Sequence, residues 1–506
     1  MAEIQFDDFI GADEAKLYND DGKVIRYGLW GDGVKRLGGR QIDGRVKVKL
    51  RDKEGWIDAG ALGGRSLLEF YFIDVGQGDG ILIKTPGFRH ILIDAGYPRR
   101  SQNTGKSGAD FVDWKFVKDY GLDAIHLDAL IASHNDYDHY GGLADLLDVE
   151  QEGELDAGSM TVEAIYHAGV SWWVKPTGGR WLGEMETTDD GKFLVQLLGN
   201  RTHARKVTRE GADPILQGEW RDFVEKLLVA KTLDGSSTPI SRLSRPATAI
   251  QSGTSLHLPG FAEASDTEPR VEILGPVEHR VNGKPALRSL GDTSKNTNGN
   301  SILLRVDYGR VRVLLTGDLN KAAQRTLLND YEGDRLQFKC DVAKACHHGS
   351  DDVSFEFLQA MEAGCTVISS GDGEGHDHPR PRIVAASGQT GFVTVERDEV
   401  ITPLVYSTEL ARSISVGRAV GLSLDEGGGV RELAQNDFGE SKLKYRERGV
   451  GALGETNGET LLRNTRVMTR LIYGLVNVRT DGQRILAATM NEKDGSWAIK
   501  SFSSRF

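Results

Sequence analysis

From residue 67 the chain offers LLEFYFIDVG, GILIKTP and HILIDAG, three short, nearly continuous apolar runs separated by glycine turns. Runs of this length without polar alternation belong to strands covered on both faces. DALIASH, VEAIYHAG, SILLRVDYG, VRVLLTGDL, DVAKACHHG and CTVISSG repeat the pattern. Between them lie amphipathic helical stretches at FVDWKFVKDYG, LADLLDVE, AAQRTLLNDY and VSFEFLQAMEAG. Strands and helices in this order predict a layered α/β architecture, because each buried strand face needs a helix or a second sheet against it.

At 506 residues the chain exceeds one ordinary core, and two or three domains are expected. Residues 1–66 read as a small SH3-like β-barrel, since residues 23–60 alternate apolar and polar positions between Gly and Asp turns. Residues 67–388 read as the main, layered α/β domain. It is interrupted at about 171–265 by a Trp-rich insertion (SWWVKPTGGRWLGEM, then WRDFVEKLLVAKTL), expected to lie beside the site and shape access to it. Residues 389–506 read as a C-terminal α/β extension, with an Arg-rich, helix-like run before YGLVNVRTDGQRILAATMNE.

The start, MAEIQFDDFIGADEAKLYNDD, lacks the basic, apolar and small-residue order of a secretory signal, and no apolar run reaches the ~18 residues of a membrane span. Cys340, Cys346 and Cys365 are too few for a disulfide framework. A cytoplasmic protein is expected. The formal net charge of -12 argues against indiscriminate binding to duplex nucleic acid. The most basic segment, with Arg45, Lys47, Lys49 and Arg51 between Trp30 and Trp56, is either a solvated strand face or a nucleic-acid platform. The late arginines Arg463, Arg466 and Arg470 could extend such a track.

SHNDYDHYGG, residues 133–142, crowds His134, Asp136, Asp138 and His139 into six positions of a chain with twelve histidines. On a helix Asp136 would oppose 134 and 138; on a strand His139 would oppose the other three. A tight loop aims all four inward. Imidazole and carboxylate are ligands for a divalent ion such as Zn or Mn. Other polar residues stand where apolar strands end: His167, Asp318, His347 and His348. Singly, these are ordinary capped histidines or turn aspartates. Gathered at one end of buried strands, they would be prohibitively costly without cations.

With FIDVGQGDGILI, ILIDAG, NGNSILLRVDYGRVRVLLTGD, CHHGS and HDHP, the SHNDYDHYGGL stretch makes residues 67 to about 385 resemble the metallo-β-lactamase fold, in the ComEC-like branch of competence proteins. The resemblance implies a four-layer αββα domain and two divalent metal ions. It implies His134, Asp136 and His167 on one ion, Asp138, His139 and His347 on the other, and Asp318 bridging. His347 is preferred to His348, which then orients the loop or faces substrate. Asp136 stands where many relatives carry histidine, and this harder ligand makes Mn a competitor to Zn. Asp94 resembles the family's ligand-orienting aspartate. Asp74 and Asp79 become supports of the site floor. His378 matches the HP motif and is a candidate for substrate contact or proton donation, and Asn300 and Ser301 could approach substrate.

Two ions ~3.5 to 4 Å apart hold a bridging hydroxide, so hydrolysis needs no side-chain nucleophile. The residues themselves support only hydrolysis of an ester that develops negative charge. The resemblance adds the phosphodiester, and with it a phosphodiesterase or nuclease acting on nucleic acid or a nucleotide-like molecule, with Asp138 and His378 in catalytic roles. Hydrolysis of a lactone, thioester or phosphorylcholine ester stays open. So does a binding or scaffold protein with an idle metal site, meeting a protein partner through the N-terminal barrel. The chain shows none of the membrane channel of competence proteins, so neither DNA uptake nor a membrane partner is expected.

Overall fold

The computed structural model describes residues 6–39, 41–102, 106–148, 154–371, 378–408, 415–425, 430–447, 456–464, 466–469, 475–491 and 495–506. Two sheets face each other. The first runs Ile240–Arg242, Ile165–His167, Ala129–Ala132, His90–Ala95, Gly80–Lys84, Leu68–Phe72, Val476–Thr480, Arg484–Asn491, Ser496–Ser503. The second runs Arg270–Gly275, Leu303–Tyr308, Val311–Leu315, Val342–Lys344, Cys365–Ile368, Leu404–Ser407.

Alternation within single strands produces the layers. Phe70, Phe72, Ile81, Ile83, Ile91 and Ile93 pack between the sheets against Ile273, Leu304, Val306 and Val313. Their neighbours Tyr71, Leu82 and Leu92 turn outward onto Ala109, Val112, Phe116 and Leu143 of helical segments. On the other side Leu303, Leu314 and Ala343 meet Leu327, Phe357 and Met361. Each fully buried side chain of this kind contributes about 1.5–3 kcal/mol, which is why both faces of these strands read as apolar. The result is the expected αββα order.

Several sequence expectations need correction. Val476–Thr480 pairs antiparallel with Leu68–Phe72, Val478 opposite Phe70, so the last strands belong to the first sheet rather than to a separate extension. They were hard to see because Asn477, Arg479 and Thr480 are buried polar residues. Where it is described, the Arg-rich run before them is mainly strand: Thr456–Leu461 pairs with Lys442–Glu447 and Arg466–Thr469 with Ser415–Arg418, with one short turn of helix at Leu462–Asn464. Arg470 and the side chain of Arg466 lie outside the described residues. The insertion is also not self-contained. Its strand Ile240–Arg242 extends the first sheet, and its own sheet takes in Val277–Val281 and Lys284–Arg288.

The N-terminal segment forms six antiparallel strands ordered Asp8–Phe9, Gly33–Arg36, Arg45–Leu50, Lys53–Asp58, Glu14–Tyr18, Val24–Leu29, around Ile10, Leu17, Val34, Val48 and Ile57. No pairing joins its two edge strands among the described residues. Among those residues, too, no helix is long and apolar enough to cross a membrane.

Candidate metal centre

The strand Ala129–Ala132 delivers Ser133 and His134 to the end of the first sheet, and the helix Tyr137–Leu146 then begins with Asp136 at its N-cap. Asp138 and His139 therefore sit in a first helical turn, in a helix that begins six residues before the LADLLDVE stretch. The two glycines explain the close approach. A Cβ on Gly142 would lie 2.0 Å from the Ala95 carbonyl oxygen, and one on Gly141 2.3 Å from Pro98 Cδ. Only bare backbone lets this helix rest on the chain leaving His90–Ala95.

Four side chains converge there. His139 Nε2 stands 3.3 Å from Asp318 Oδ2 and 3.3 Å from His348 Nε2. His348 Nε2 stands 2.9 Å from Asp318 Oδ2 and 3.7 Å from Asp138 Oδ2. His134, His139 and Asp318 form one group with ligand atoms within 4.8 Å of one another, and Asp138, His139 and His348 form another. Burial opposes protonation of His348, yet Asp318 and Asp79 overcome it and raise the imidazole to about 9. His139 is raised in the same way against burial, by Asp318 and Asp94. Burial works against the Asp318 carboxylate, but His348, His139 and Lys344 hold it well below the usual range. The pocket thus demands positive charge, which a divalent ion supplies while displacing those protons. His134 Nε2 is buried with no hydrogen-bond partner, the posture of a donor atom kept for an ion. His139, His348 and Asp318 recur across the groups that could hold an ion, with Asp138 or His134 beside them.

The surroundings fix the donors. Asp94 accepts from His139 Nδ1 at 2.8 Å, from the Ser133 N–H at 2.8 Å and from Ser133 Oγ at 2.5 Å. His348 Nδ1 lies 3.1 Å from the Ser369 carbonyl oxygen. Ser301 Oγ is 3.3 Å from His134 Nδ1, so it touches a candidate ligand, whereas Asn300 turns back to the Asn296 carbonyl. Asp79 reaches Lys344 and His348; burial would raise it, but these two cations keep it low.

Two residues assigned to metal from the sequence stand elsewhere. His347 Nε2 is 3.8 Å from Asp318 but 3.2 Å from Asn298 Nδ2, and the ring faces an open cavity; its neighbour His348 takes the buried place. Both residues have positive φ, 46° and 51°, which sends consecutive side chains to different sides of a tight turn. His167 hydrogen-bonds the Gly199 carbonyl at 2.9 Å and is lowered to about 3 by burial and Arg242; it joins no ligand group. Asp136 Oδ2 lies 3.9 Å from His134 Nε2. Burial and then Asp138 push its carboxyl up to about 7, although a third of the side chain stays exposed. A second ion here would find His134, Asp136 and Asp318, with His134 as the one histidine of the set.

The sequence reading missed three participants. Lys344, fully buried, donates to the Gly317 carbonyl at 2.9 Å and lies 3.4 Å from Asp318 Oδ1, beside Asp79. Gln77 Nε2 donates to Asp138 Oδ2 at 3.1 Å. Asn298 lines the cavity two residues before the NGNS positions that were singled out. A lysine inside the otherwise apolar strand Val342–Lys344 was the one available signal.

The centre opens into a cavity of about 620 Å³ walled by Tyr97, Trp172, Arg180, His347, His378 and Arg380. The His378 ring lies 5.7 Å from that of His347; His376, its neighbour in the HDHP motif, is outside the described residues. In the N-terminal sheet Arg45, Lys47 and Lys49 share one face, Arg45 over Tyr18 and Lys47 over Trp56. Arg51 does not join them. The strand ends at Leu50, and a φ of 56° turns Arg51 inward to Asp32, 3.0 Å away, so it offers nothing to phosphate.

Comparison with known proteins finds likeness over part of the chain. The profile described as "Metallo-beta-lactamase superfamily" matches residues 73–154. The chain is similar to "ComE operon protein 3" of Bacillus subtilis (strain 168), 31% identical over 88 residues, which are 17% of this chain and 11% of that protein. The match thus spans a small part of either.

Proposed function

Because the chain carries a metallo-β-lactamase fold of ComEC-like character, we propose that it is a metal-dependent phosphodiesterase acting on nucleic acid or a nucleotide-like diester. The convergence of Asp138, His139, His348 and Asp318 on one point at the floor of an open cavity carries this reading. A bound divalent ion, Zn or Mn, supplies Lewis acidity and lowers the pKa of a water toward neutrality. The remaining work belongs to side chains. His134, with Asp136 and Asp318, would hold a second, less completely ligated ion.

Asp94, Ser133 and Ser301 keep imidazole Nδ1 atoms engaged so that Nε2 faces inward. His347 and Asn298 line the wall beside Asp318, where they meet substrate. His378, which lines the cavity, would give a proton to the departing alkoxide. The imidazole and guanidinium groups of the wall, His347, His378, Arg180 and Arg380, suit an anionic phosphoryl group better than an uncharged lactone or thioester. The face with Arg45, Lys47 and Lys49 would add contacts to a longer strand.

Elemental analysis coupled to turnover tests this. Protein loaded with Mn or Zn should hydrolyse bis(p-nitrophenyl) phosphate, and D138A and H348A should lose at least about a thousandfold in rate. Turnover of a lactone with none of the diester would reject the phosphodiester, and an absence of bound metal with no turnover of either would reject the enzyme.

A further inference from the structure

The insertion folds a hairpin, Trp173–Val174 with Arg180–Trp181, against the metal-binding loop. Trp172, just before it, donates through indole Nε1 to the Asn135 carbonyl at 2.9 Å. Asn135 stands between His134 and Asp136, so the indole is tied to the ligand loop itself. The rest of the ring leans on an apolar cluster of Val170, Leu182 and Leu194. Arg180, opposite Val174 in the hairpin, places its guanidinium carbon 4.4 Å from the centroid of the Trp172 ring. Both residues line the cavity over the metal centre.

A guanidinium held against an aromatic face keeps its in-plane N–H donors available for a phosphate. Arg180 makes no salt bridge among the described residues, although Asp136 and Glu219 line the same cavity. A cation left unpaired beside carboxylates, on a residue anchored to the ligand loop, is placed for an anion that arrives with the substrate. The cavity, about 620 Å³, has room for more than one phosphate.

Resting on the phosphodiesterase reading, we infer that Arg180, presented by Trp172, binds a second phosphate next to the scissile one. The substrate is then a nucleotide chain or ring with at least two phosphates.

Binding of fluorescein-labelled oligothymidylate, followed by anisotropy on metal-stripped protein, tests this without relying on turnover. R180A should weaken binding about tenfold and reduce the salt slope of log K by about 0.7, the value for one phosphate contact on a single strand. R180K should recover part of the loss. K175A removes a like charge from the turn of the same hairpin, outside the cavity wall, and should change binding by less than about twofold. With metal restored, R180A should raise KM for a thymidine dinucleotide carrying a terminal phosphate more than KM for bis(p-nitrophenyl) phosphate. Equal losses in R180A and K175A, or an unaltered salt slope, overturn the inference. A cyclic dinucleotide that competes in an Arg180-dependent manner, where the oligomer shows no such dependence, identifies the ring as the source of the second phosphate. Arg180-dependent binding with no hydrolysis of any diester would instead strike the phosphodiesterase reading and leave this anion site standing.

Discussion

Asp94 Oδ2 accepts a hydrogen bond from His139 Nδ1 at 2.8 Å while its Oδ1 accepts the Ser133 N–H at 2.8 Å. One carboxylate thereby fixes both the tautomer of a candidate ligand and the loop that carries it. Asp94→Asn offers an amide in its place, and the ring is free to turn or to protonate on the other nitrogen. Metal affinity should fall about 10–100-fold with the fold retained. Chelator competition reads this directly, and an unaltered affinity would deny Asp94 its orienting role.

His347 and His348 are adjacent in sequence, and their positive φ angles send the two rings to different sides of a tight turn. His348→Ala removes a side chain whose Nε2 lies 2.9 Å from Asp318, and should lower the metal content of the purified protein. His347→Ala should leave metal content near that of the wild type and act on KM or kcat. If His347→Ala empties the site and His348→Ala does not, the assignment of the pair is reversed.

The ends of apolar strands announced the site, because a buried strand that stops at His or Asp has few other uses for that residue. His134, Asp138, His139 and Asp318 were legible for this reason. The rest depended on backbone geometry that residue spacing does not encode. Alternation would carry the basic face from Arg45, Lys47 and Lys49 to Arg51, but the strand stops at Leu50. His167 ends its strand as expected, yet the Gly199 carbonyl reaches it first. Lys344 stood out as a lysine inside a buried strand, but its purpose is plain only once Asp79 and Asp318 are seen around it.

Gly78 has φ +110°, and a Cβ there would lie 1.8 Å from the Asp138 carbonyl oxygen. Backbone meets backbone, so no flexible side chain can give way. Gly78→Ala should push the loop off the first turn of Tyr137–Leu146, parting Gln77 from Asp138 and Asp79 from His348. A loss of about 1–3 kcal/mol in stability is expected, together with at least tenfold weaker metal binding. Gly60→Ala, which meets nothing within 4 Å, is the control and should be close to neutral. Equal behaviour of the two variants in thermal melts and metal titrations would remove the packing argument.

The catalytic sheet and the N-terminal segment are joined by buried charge: Arg479, fully buried, lies 2.7 Å from Asp32 and 3.4 Å from Glu69, and Lys84 lies 2.8 Å from Glu69. Burial alone would raise the Glu69 carboxyl, but Arg479 and then Lys84 outweigh it and lower the group from 4.5 to about 2. A carboxylate depressed in the folded state contributes its stability fully above the unfolded value, and that contribution is lost as pH falls toward the folded one. The window is therefore pH 4.5 down to about 2, and a shift of this size corresponds to about 3 kcal/mol. Arg479→Met leaves Asp32 and Glu69 with one cation fewer, and should be destabilising by about 3–5 kcal/mol at neutral pH. It should also flatten the acid limb, because Glu69 is then less depressed. Urea midpoints from pH 7 to pH 2.5 measure both effects, and an acid limb as steep in Arg479→Met as in the wild type would place the acid sensitivity elsewhere in the molecule.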